Sequence, residues 1–241
     1  MVCEPPSPRS TSVYFHGGGY RLGSAAWSVP FATRLARSAG STVVAVDYRL
    51  APEHPFPACI HDATAVYESL LAGGASEVVA VGDSAGGGLA AALVVAADAS
   101  SVPLPAGLVL MSPWLDLTCT AATFASRAAS DQLFSLDSAL AAAELYLQGH
   151  DPSDPLASPG LARLGTWPST LVVASTDEVL LGDSTSFTAA VALTGSPVRA
   201  IFEPGRPHAW PAVFPDLPES ERAVEAIGAY FATLGGRESD G

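Results

Sequence analysis

Short apolar runs recur along the chain, and most of them are rich in β-branched residues. Hydrophobicity is nearly continuous within each run and does not alternate with polar positions, which is the pattern of strands buried on both faces of a parallel sheet. The strands predicted in this way are Ser12–Phe15, Thr42–Asp47, Glu77–Val81, Gly107–Met111, Thr170–Ala174 and Val198–Phe202. Helical patterns separate the runs, so the chain is predicted to consist of βαβ units.

Amphipathic helices are predicted between these strands. Ser28 is the predicted N-cap of one helix, which extends to about Ser38, with Gly40 just beyond its end as a stop signal. The apolar positions at helical spacing that indicate two more helices are Ile60, Ala63, Tyr67, Leu70 and Leu71 before Gly73, and Val224, Ile227, Phe231 and Leu234 before Gly235 and Gly236. Strands that alternate with helices favour an α/β fold.

One region departs from this alternation. Between Asp116 and Pro168 no strand is predicted, but an Ala- and Leu-rich helix is indicated near Leu136–Leu147. This connection is much longer than the usual βαβ crossover. We interpret residues 117–167 as an insertion at the carboxyl ends of the strands, a partial helical cap over a site. An ordinary long crossover stays open as the alternative, and residues 1–241 as a whole are predicted to form a single domain.

Composition and charge narrow the class of protein. The net charge is −13 and the eleven basic residues are scattered, so a nucleic-acid partner is not predicted. The longest apolar run, Leu89–Ala97, is too short to span a bilayer. Cys3, Cys59 and Cys119 are far apart and odd in number, which predicts neither a disulfide framework nor a metal site. With no signal-peptide pattern at the front of the chain, we expect a cytoplasmic protein.

The first candidate chemistry lies directly after the strand Glu77–Val81. The sequence Gly82-Asp83-Ser84-Ala85-Gly86 has the Gly-x-Ser-x-Gly pattern, and it opens a helical stretch. In this strand–turn–helix context the pattern predicts a tight turn that presents the serine above the sheet. Glycine on both sides allows the turn to form and allows close approach of a substrate. Ser84 is therefore the predicted nucleophile.

A second glycine-rich turn follows the strand Ser12–Phe15. In His16-Gly17-Gly18-Gly19 three residues without a Cβ can turn their N–H groups toward a small anion. The carbonyl oxygen of a substrate becomes such an anion in a tetrahedral intermediate. We expect the backbone N–H groups of Gly17, Gly18 and Ala85 to form the oxyanion hole.

A serine hydroxyl needs a base, and the base needs a carboxylate that orients it. In this type of site the order along the chain is serine, acid, histidine, and only His150 and His208 follow Ser84. His208 lies in a loop just past the last predicted strand. His150 lies at the end of the cap helix, from where it would have to reach inward. The sequence therefore favours His208 as the base.

The orienting acid is expected between the serine and the histidine, at the end of a strand. Asp177 follows the strand Thr170–Ala174 closely and is the predicted acid. Glu178 and Asp183 are the competing candidates. Asp183 fits better as an acidic residue in the first turn of the next helix, where the helix dipole favours a negative charge.

Together these motifs resemble the hormone-sensitive lipase family of bacterial esterases over residues 12–234. The segments that carry the resemblance are His16–Tyr20, Asp47–Glu53, Gly82–Gly87, Ser112–Asp116, Asp177–Leu180 and Pro207–His208. The resemblance implies an α/β-hydrolase fold, a mostly parallel sheet flanked by helices and carrying a partial helical cap. It also implies a serine carboxylesterase that acts on short-chain esters without a cofactor or a metal.

Two other functions stay open. A lactone hydrolase or an N-acetyl hydrolase would use the same triad, and the motifs do not separate these activities from that of an esterase. A ligand-binding or inactive shortened member of the fold is the alternative of another class. The presence of His208 argues against a pure ligand-binding protein, because receptors that resemble this family have lost that histidine.

The front of the chain departs from the family pattern. Only fifteen residues precede His16, whereas the resemblance implies a few dozen more that supply cap helices and the first two strands. Without those strands, Thr42–Asp47 is expected to be an apolar sheet edge with unpaired N–H and C=O groups. Either the natural chain is longer at its front, or a second copy of the chain covers this edge in a homodimer.

Overall fold

The structure is a computed structural model, and it describes residues 1–234. Its centre is a seven-stranded sheet in the order β1-β3-β2-β4-β5-β6-β7. The strands are β1 (Val2–Cys3), β2 (Ser10–Phe15), β3 (Ser41–Val46), β4 (Val78–Asp83), β5 (Gly107–Met111), β6 (Ser169–Ser175) and β7 (Val198–Glu203). Strands β2 to β7 are parallel, and each lies within two residues of a strand predicted from the sequence. The predicted α/β class, with a mostly parallel sheet, is confirmed.

Helices cover both faces of this sheet. They are α1 (Val29–Ala39), α2 (Ala58–Ala72), α3 (Ala85–Ala99), α4 (Thr123–Ser126), α5 (Leu136–Leu147), α6 (Leu181–Leu193), α7 (Trp210–Val213) and α8 (Pro218–Leu234). Val79 and Val81 of β4 pack in one apolar core with α1 and α8, whereas Val78 and Ala80 pack in the other with α2 and α3. Because both faces are buried, the four residues Val78–Val81 are all apolar, and the sequence does not alternate.

The predicted helix ends hold with one difference at Ser28. Helix α1 begins after Ser28, but the Ser28 side chain donates to the carbonyl of Ser24 (3.1 Å) and does not cap the helix. Gly40 has a φ of 61°, and its N–H donates to the Ala36 carbonyl. A left-handed residue at this position favours glycine, which explains the stop signal. For α8, the predicted stop at Gly235 and Gly236 lies outside the described residues.

The sheet edge formed by β3 is partly covered. Strand β1 pairs antiparallel with β3 through Val2 with Val44 and Cys3 with Val43. The N-terminal ammonium also donates to the Ala45 carbonyl at 2.7 Å. The expectation that Thr42–Asp47 is an uncovered edge is therefore wrong for Val43, Val44 and Ala45. Two paired residues are too few to produce a periodicity in the sequence, which is why β1 was not predicted. Association of two copies through this edge stays a prediction.

The connection between β5 and β6 contains α4, α5 and one 3₁₀ turn at Pro159–Leu161, and every residue in it is described. It contains no strand, as the sequence predicts. Helix α5 packs inward through Tyr146, whose ring stacks on Tyr20 with 4.0 Å between centroids. No helix within residues 1–234 is both long enough and apolar enough to cross a membrane.

Candidate active site

The turn after β4 holds Ser84 in an uncommon backbone conformation. Ser84 has φ 51° and ψ −122°, between the last residue of β4 and the first residue of α3. A Cβ on Gly82 would lie 2.1 Å from the Gly86 carbonyl oxygen, and a Cβ on Gly86 would lie 2.1 Å from that of Phe15. Only glycine fits at both positions, since the backbones approach too closely for any side chain. The predicted strand–turn–helix context is confirmed.

His208 reaches Ser84 from the loop that follows β7. Its Nε2 lies 2.9 Å from Ser84 Oγ, and both side chains are buried. Hydrogen bonds hold the loop on both sides of the histidine. The Ser112 hydroxyl accepts from the N–H of Ala209 (3.0 Å), and the Ser175 hydroxyl donates to the carbonyl of Arg206 (2.7 Å). The structure thus brings together the serine and the histidine that the sequence singled out.

The carboxylate that contacts His208 belongs to Glu178. Its Oε2 lies 2.8 Å from His208 Nδ1, and its Oε1 accepts from the N–H of Ser175 at 3.1 Å. Glu178 is fully buried. The prediction that Asp177 orients the histidine is wrong, because the Asp177 carboxylate instead accepts from the N–H of Gly205 at 2.6 Å.

The reason lies in the turn after β6. Strand β6 continues through Ser175, and the chain then turns so that Glu178 enters the interior just before the buried residues Val179 and Leu180. Asp177 remains on the outer side of the turn. The sequence does carry one signal that favours Glu178 over Asp177 as the orienting acid. Glu178 directly precedes the apolar pair Val179 and Leu180, and a residue next to two buried positions is closer to the core than the residue before it.

Asp183 lies in the first turn of α6, as expected, and does not contact His208. Its Oδ2 accepts from the N–H groups of Leu115 (2.8 Å) and Asp116 (3.0 Å) in the loop after β5. Burial raises the pKa of Asp183 to about 7, although these two hydrogen bonds favour the charged form. Asp183 is therefore a structural link between α6 and the loop after β5.

The glycine-rich turn after β2 is tied to the turn that carries Ser84. The N–H of Gly17 donates to Asp83 Oδ1 at 3.0 Å, and the Tyr14 hydroxyl donates to the same oxygen. The N–H of Gly17 is therefore occupied, and its predicted place in the oxyanion hole is wrong in this structure. Burial raises the pKa of Asp83, while the hydrogen bonds from Tyr14 and Gly17 favour its charged form.

Three other N–H groups beside Ser84 have no hydrogen-bond partner within residues 1–234. They belong to Gly18, Gly19 and Ala85. Gly18 and Gly19 have φ of 118° and 62°, and both line the cavity that contains Ser84. Ala85 is the first residue of α3, where backbone N–H groups lack intrahelical partners and the helix dipole favours an anion. Gly19 was not among the donors predicted from the sequence, although it belongs to the same glycine run.

A cavity of about 540 Å³ opens above Ser84 and His208. Apolar side chains form much of its rim. Four of these side chains are exposed to solvent, namely Leu22, Trp27, Leu133 and Val213. Phe134, which precedes α5, stacks on the His208 ring at 5.7 Å between centroids. Residues just before α5 thus form one wall of the cavity. That residues 117–167 act as a cap over the site stays a prediction.

Comparison with known proteins identifies the family. Residues 12–212 match the family described as α/β hydrolase fold. The chain belongs to this family.

The sequence matches between this hydrolase and its named relatives extend over more than nine-tenths of the chain. An acetyl-hydrolase of Streptomyces hygroscopicus is 40% identical over 228 residues, which are 94% of this chain and 76% of that protein. Carboxylesterase NlhH of Mycobacterium tuberculosis is 32% identical, over 92% of this chain and 72% of its own length. Among solved structures, an esterase from the bacterial hormone-sensitive lipase family has a TM-score of 0.94 and 38% identity, with 98% of this chain and 80% of that chain covered. The predicted resemblance to that family is confirmed.

The electrostatics of His208 suit a base paired with a carboxylate. Burial alone would lower the pKa of His208, but the hydrogen bond and the charge of Glu178 outweigh burial, and Asp131 and Asp83 add to the effect. The net pKa of His208 lies above the ordinary histidine value of 6.5. The site therefore stabilises the imidazolium that would form when His208 takes a proton from Ser84.

Proposed function

We propose that this hydrolase cleaves short-chain carboxylic esters through an acyl-enzyme on Ser84. The observation that carries the proposal is the hydrogen-bonded chain from Glu178 Oε2 to His208 Nδ1 (2.8 Å) and from His208 Nε2 to Ser84 Oγ (2.9 Å). This series of hydrogen bonds ends at Ser84 on the floor of an open cavity, where a small-molecule ester can reach the serine. Nucleophile, base and orienting acid in this arrangement are the requirement for acyl transfer.

In the first step, Ser84 Oγ forms a bond to the carbonyl carbon while its proton moves to His208 Nε2. Glu178 keeps the Nδ1 proton in place and stabilises the positive charge on the ring. When the tetrahedral intermediate collapses, the bond to the alcohol oxygen breaks, and the proton on Nε2 passes to that oxygen. The products of this half-reaction are the free alcohol and an acyl ester of Ser84.

The oxyanion of each tetrahedral intermediate would accept hydrogen bonds from Gly18, Gly19 and Ala85. Their N–H groups have no other partner among the described residues, and the link from Gly17 to Asp83 fixes the loop that carries the first two. Donors held in place before the reaction are effective because they do not reorganise when charge develops. Asp83 and Tyr14 therefore act as positioning residues for this loop.

Water completes the cycle. His208 removes a proton from the water molecule, whose oxygen forms a bond to the acyl carbon, and a second oxyanion occupies the same donors. Collapse breaks the bond to Ser84 Oγ, which regains its proton from His208. The carboxylic acid then leaves and the enzyme is restored.

The names of the relatives support a short acyl group. The Streptomyces protein is named an acetyl-hydrolase, and one related esterase crystal, EstE5, was soaked with p-nitrophenyl butyrate. EstE5 has a TM-score of 0.92 and 36% identity to this chain, with 96% of this chain and 79% of that chain covered. An N-acetyl hydrolase is the second candidate, since the name of the Streptomyces relative favours an acetyl group and the triad atoms would be the same.

The test is hydrolysis of p-nitrophenyl esters with two to twelve acyl carbons by wild type and by Ser84→Ala. We expect turnover to be highest for the short esters and to fall to near background in the variant, with the fold retained by circular dichroism. A fluorophosphonate probe should label wild type at Ser84 only. Labelling that persists in Ser84→Ala, or no cleavage of any ester by wild type, would contradict the proposal.

A further inference from the structure

A positively charged side chain lies in the wall of the same cavity and has no anionic partner within residues 1–234. Arg21 comes two residues after the glycine-rich turn and lines the cavity together with Ser84. Its Nε is buried without a hydrogen-bond partner. The guanidinium lies beside Gly19, because a Cβ on that glycine would be 3.7 Å from Nε and 3.9 Å from Nη2.

Four other arginines within residues 1–234 form ion pairs. All eleven basic residues are arginines, and the ion pairs are Arg34–Asp216 (2.8 Å), Arg49–Asp62 (2.8 Å), Arg206–Glu219 (3.2 Å) and Arg222–Glu219 (3.6 Å). In a protein with a net charge of −13, carboxylates are abundant, yet none within residues 1–234 lies within ion-pair distance of Arg21. Withdrawing a charged group from water is unfavourable unless a partner satisfies it.

The cavity itself does not supply that partner. Among the described residues that line it, Asp83 is the one carboxylate. Both the Tyr14 hydroxyl and the Gly17 N–H already donate to its Oδ1. A guanidinium keeps its positive charge in proteins, and its planar array of donors matches the two oxygens of a carboxylate.

We propose that Arg21 binds a carboxylate on the substrate, so that the esters this enzyme prefers are anionic. The inference rests on the proposed esterase function and adds the class of substrate to it. Because Arg21 follows Gly18 and Gly19, the same loop would present donors to the oxyanion and a cation to a remote group of the substrate. The negative net charge of the protein disfavours approach of an anion, so a local cation is needed to hold one.

Two matched pairs of esters test the proposal. On the alcohol side, 4-acetoxybenzoate is compared with the neutral 4-acetoxybenzamide. On the acyl side, mono-(4-nitrophenyl) adipate is compared with 4-nitrophenyl hexanoate. For each pair the readout is the ratio of kcat/KM for the anionic ester to kcat/KM for the neutral one. A purely structural effect of a substitution changes both esters alike and leaves this ratio unchanged.

In Arg21→Gln we expect the ratio for at least one pair to fall by about ten- to a hundredfold, the range for loss of a hydrogen bond to a charged group. Arg21→Lys should restore part of it, since the charge returns without the planar fork. Arg199→Gln, on the exposed side of β7, is the control and should leave both ratios unchanged. Raising the salt concentration should lower the ratio in wild type more than in Arg21→Gln.

Binding separates failure of this inference from failure of the proposed function. The affinity of Ser84→Ala for 4-acetoxybenzoate and for 4-acetoxybenzamide is measured by calorimetry, with and without Arg21→Gln. Cleavage of neutral esters with ratios that do not depend on Arg21 would overturn the inference and leave the esterase function intact. If wild type cleaves no ester, Arg21-dependent binding of the anion still supports a carboxylate site, and binding that does not depend on Arg21 overturns it.

Discussion

Two turns at the carboxyl ends of parallel strands build the site, and different forces shape them. The turn after β4, residues 82–86, is determined by backbone contacts so close that only glycine fits on either side of Ser84. The second turn, residues 176–183, comprises the loop after β6 and the first residues of α6, and it is determined by side chains. Each of its three carboxylates accepts hydrogen bonds from backbone N–H groups of another segment or strand. The first turn leaves a pattern in the sequence, and the second leaves only a set of acidic residues.

Each of the three acidic residues of the second turn binds a different segment of the chain. Asp177 holds Gly205 in the loop that carries His208, Glu178 holds His208 itself, and Asp183 holds the loop after β5. Since each of these carboxylates has backbone partners, hydrogen bonding to the backbone does not by itself identify the orienting acid. Only the contact with the imidazole does so, and exchanging these residues is the way to test the division.

The largest effect is expected for Glu178→Gln. An amide at this position favours the wrong tautomer of His208, and in serine proteases the corresponding change lowers kcat by about 10⁴. Asp177→Asn is the matched control one residue away, and it should change kcat by less than about tenfold because the Gly205 N–H can still donate to the amide oxygen. Both variants are compared by kcat on p-nitrophenyl acetate and by thermal unfolding.

The pH profile adds a second readout to this pair. The base must be neutral to accept a proton, so kcat/KM of wild type should rise with pH through the pKa of His208, which lies above 6.5. Glu178→Gln removes the charge that raises this pKa, and the acidic limb should move to lower pH. A larger loss of kcat in Asp177→Asn than in Glu178→Gln would show that the division of tasks is wrong.

A smaller effect on turnover is expected when the first turn is disturbed. In Gly86→Ala the new methyl group would lie 2.1 Å from the Phe15 carbonyl oxygen and 2.5 Å from that of His16. These carbonyls directly precede the loop that carries Gly18 and Gly19, so relief of the clash would displace both glycines. A displacement of about 1 Å can lower the rate by about a hundredfold.

Gly165→Ala is the control for this substitution, because a Cβ at Gly165 meets open space. It should leave both kcat and the midpoint of thermal unfolding close to wild type. If Gly86→Ala has wild-type turnover, the oxyanion donors do not depend on the packing between these two loops.

The same contrast explains what could be predicted from the sequence. Backbone-determined features were predicted well: β2 to β7 within two residues, the turn at Ser84, and the glycine-rich turn after β2. The partner of each individual hydrogen bond could not be predicted. Apart from the apolar pair that follows Glu178, no local pattern distinguishes Asp177 from Glu178, and none shows that Gly17 donates to Asp83, which lies 66 positions further along the chain. Short β1 was missed because two residues carry no period, and Arg21 was passed over because only the cavity shows that it lacks a partner.

The smallest effect on turnover, and the most informative about the second turn, is expected for Asp183→Asn. Burial raises the pKa of Asp183 to about 7, so the folded state binds a proton between that pH and the lower pKa of the unfolded chain, where an aspartate titrates near 3.9. The stabilisation from this proton is fully present at low pH and is lost as the pH rises through about 7.

Wild type should therefore lose up to a few kcal/mol of unfolding free energy from this group between about pH 4 and pH 7. The asparagine still offers an oxygen to the N–H groups of Leu115 and Asp116, but it does not titrate, so the variant should lack this part of the pH dependence. Urea unfolding of wild type and of Asp183→Asn at several pH values measures the difference between their unfolding free energies. Contributions from Asp83 and other groups common to both proteins cancel in this difference.

Because Asp183 links α6 to the loop after β5 without touching His208, kcat at pH 8 should change by less than about threefold, within what the loss of one ordinary hydrogen bond allows. Parallel stability profiles would mean that Asp183 does not titrate in this range, and a large loss of kcat would place it in the same functional unit as Glu178.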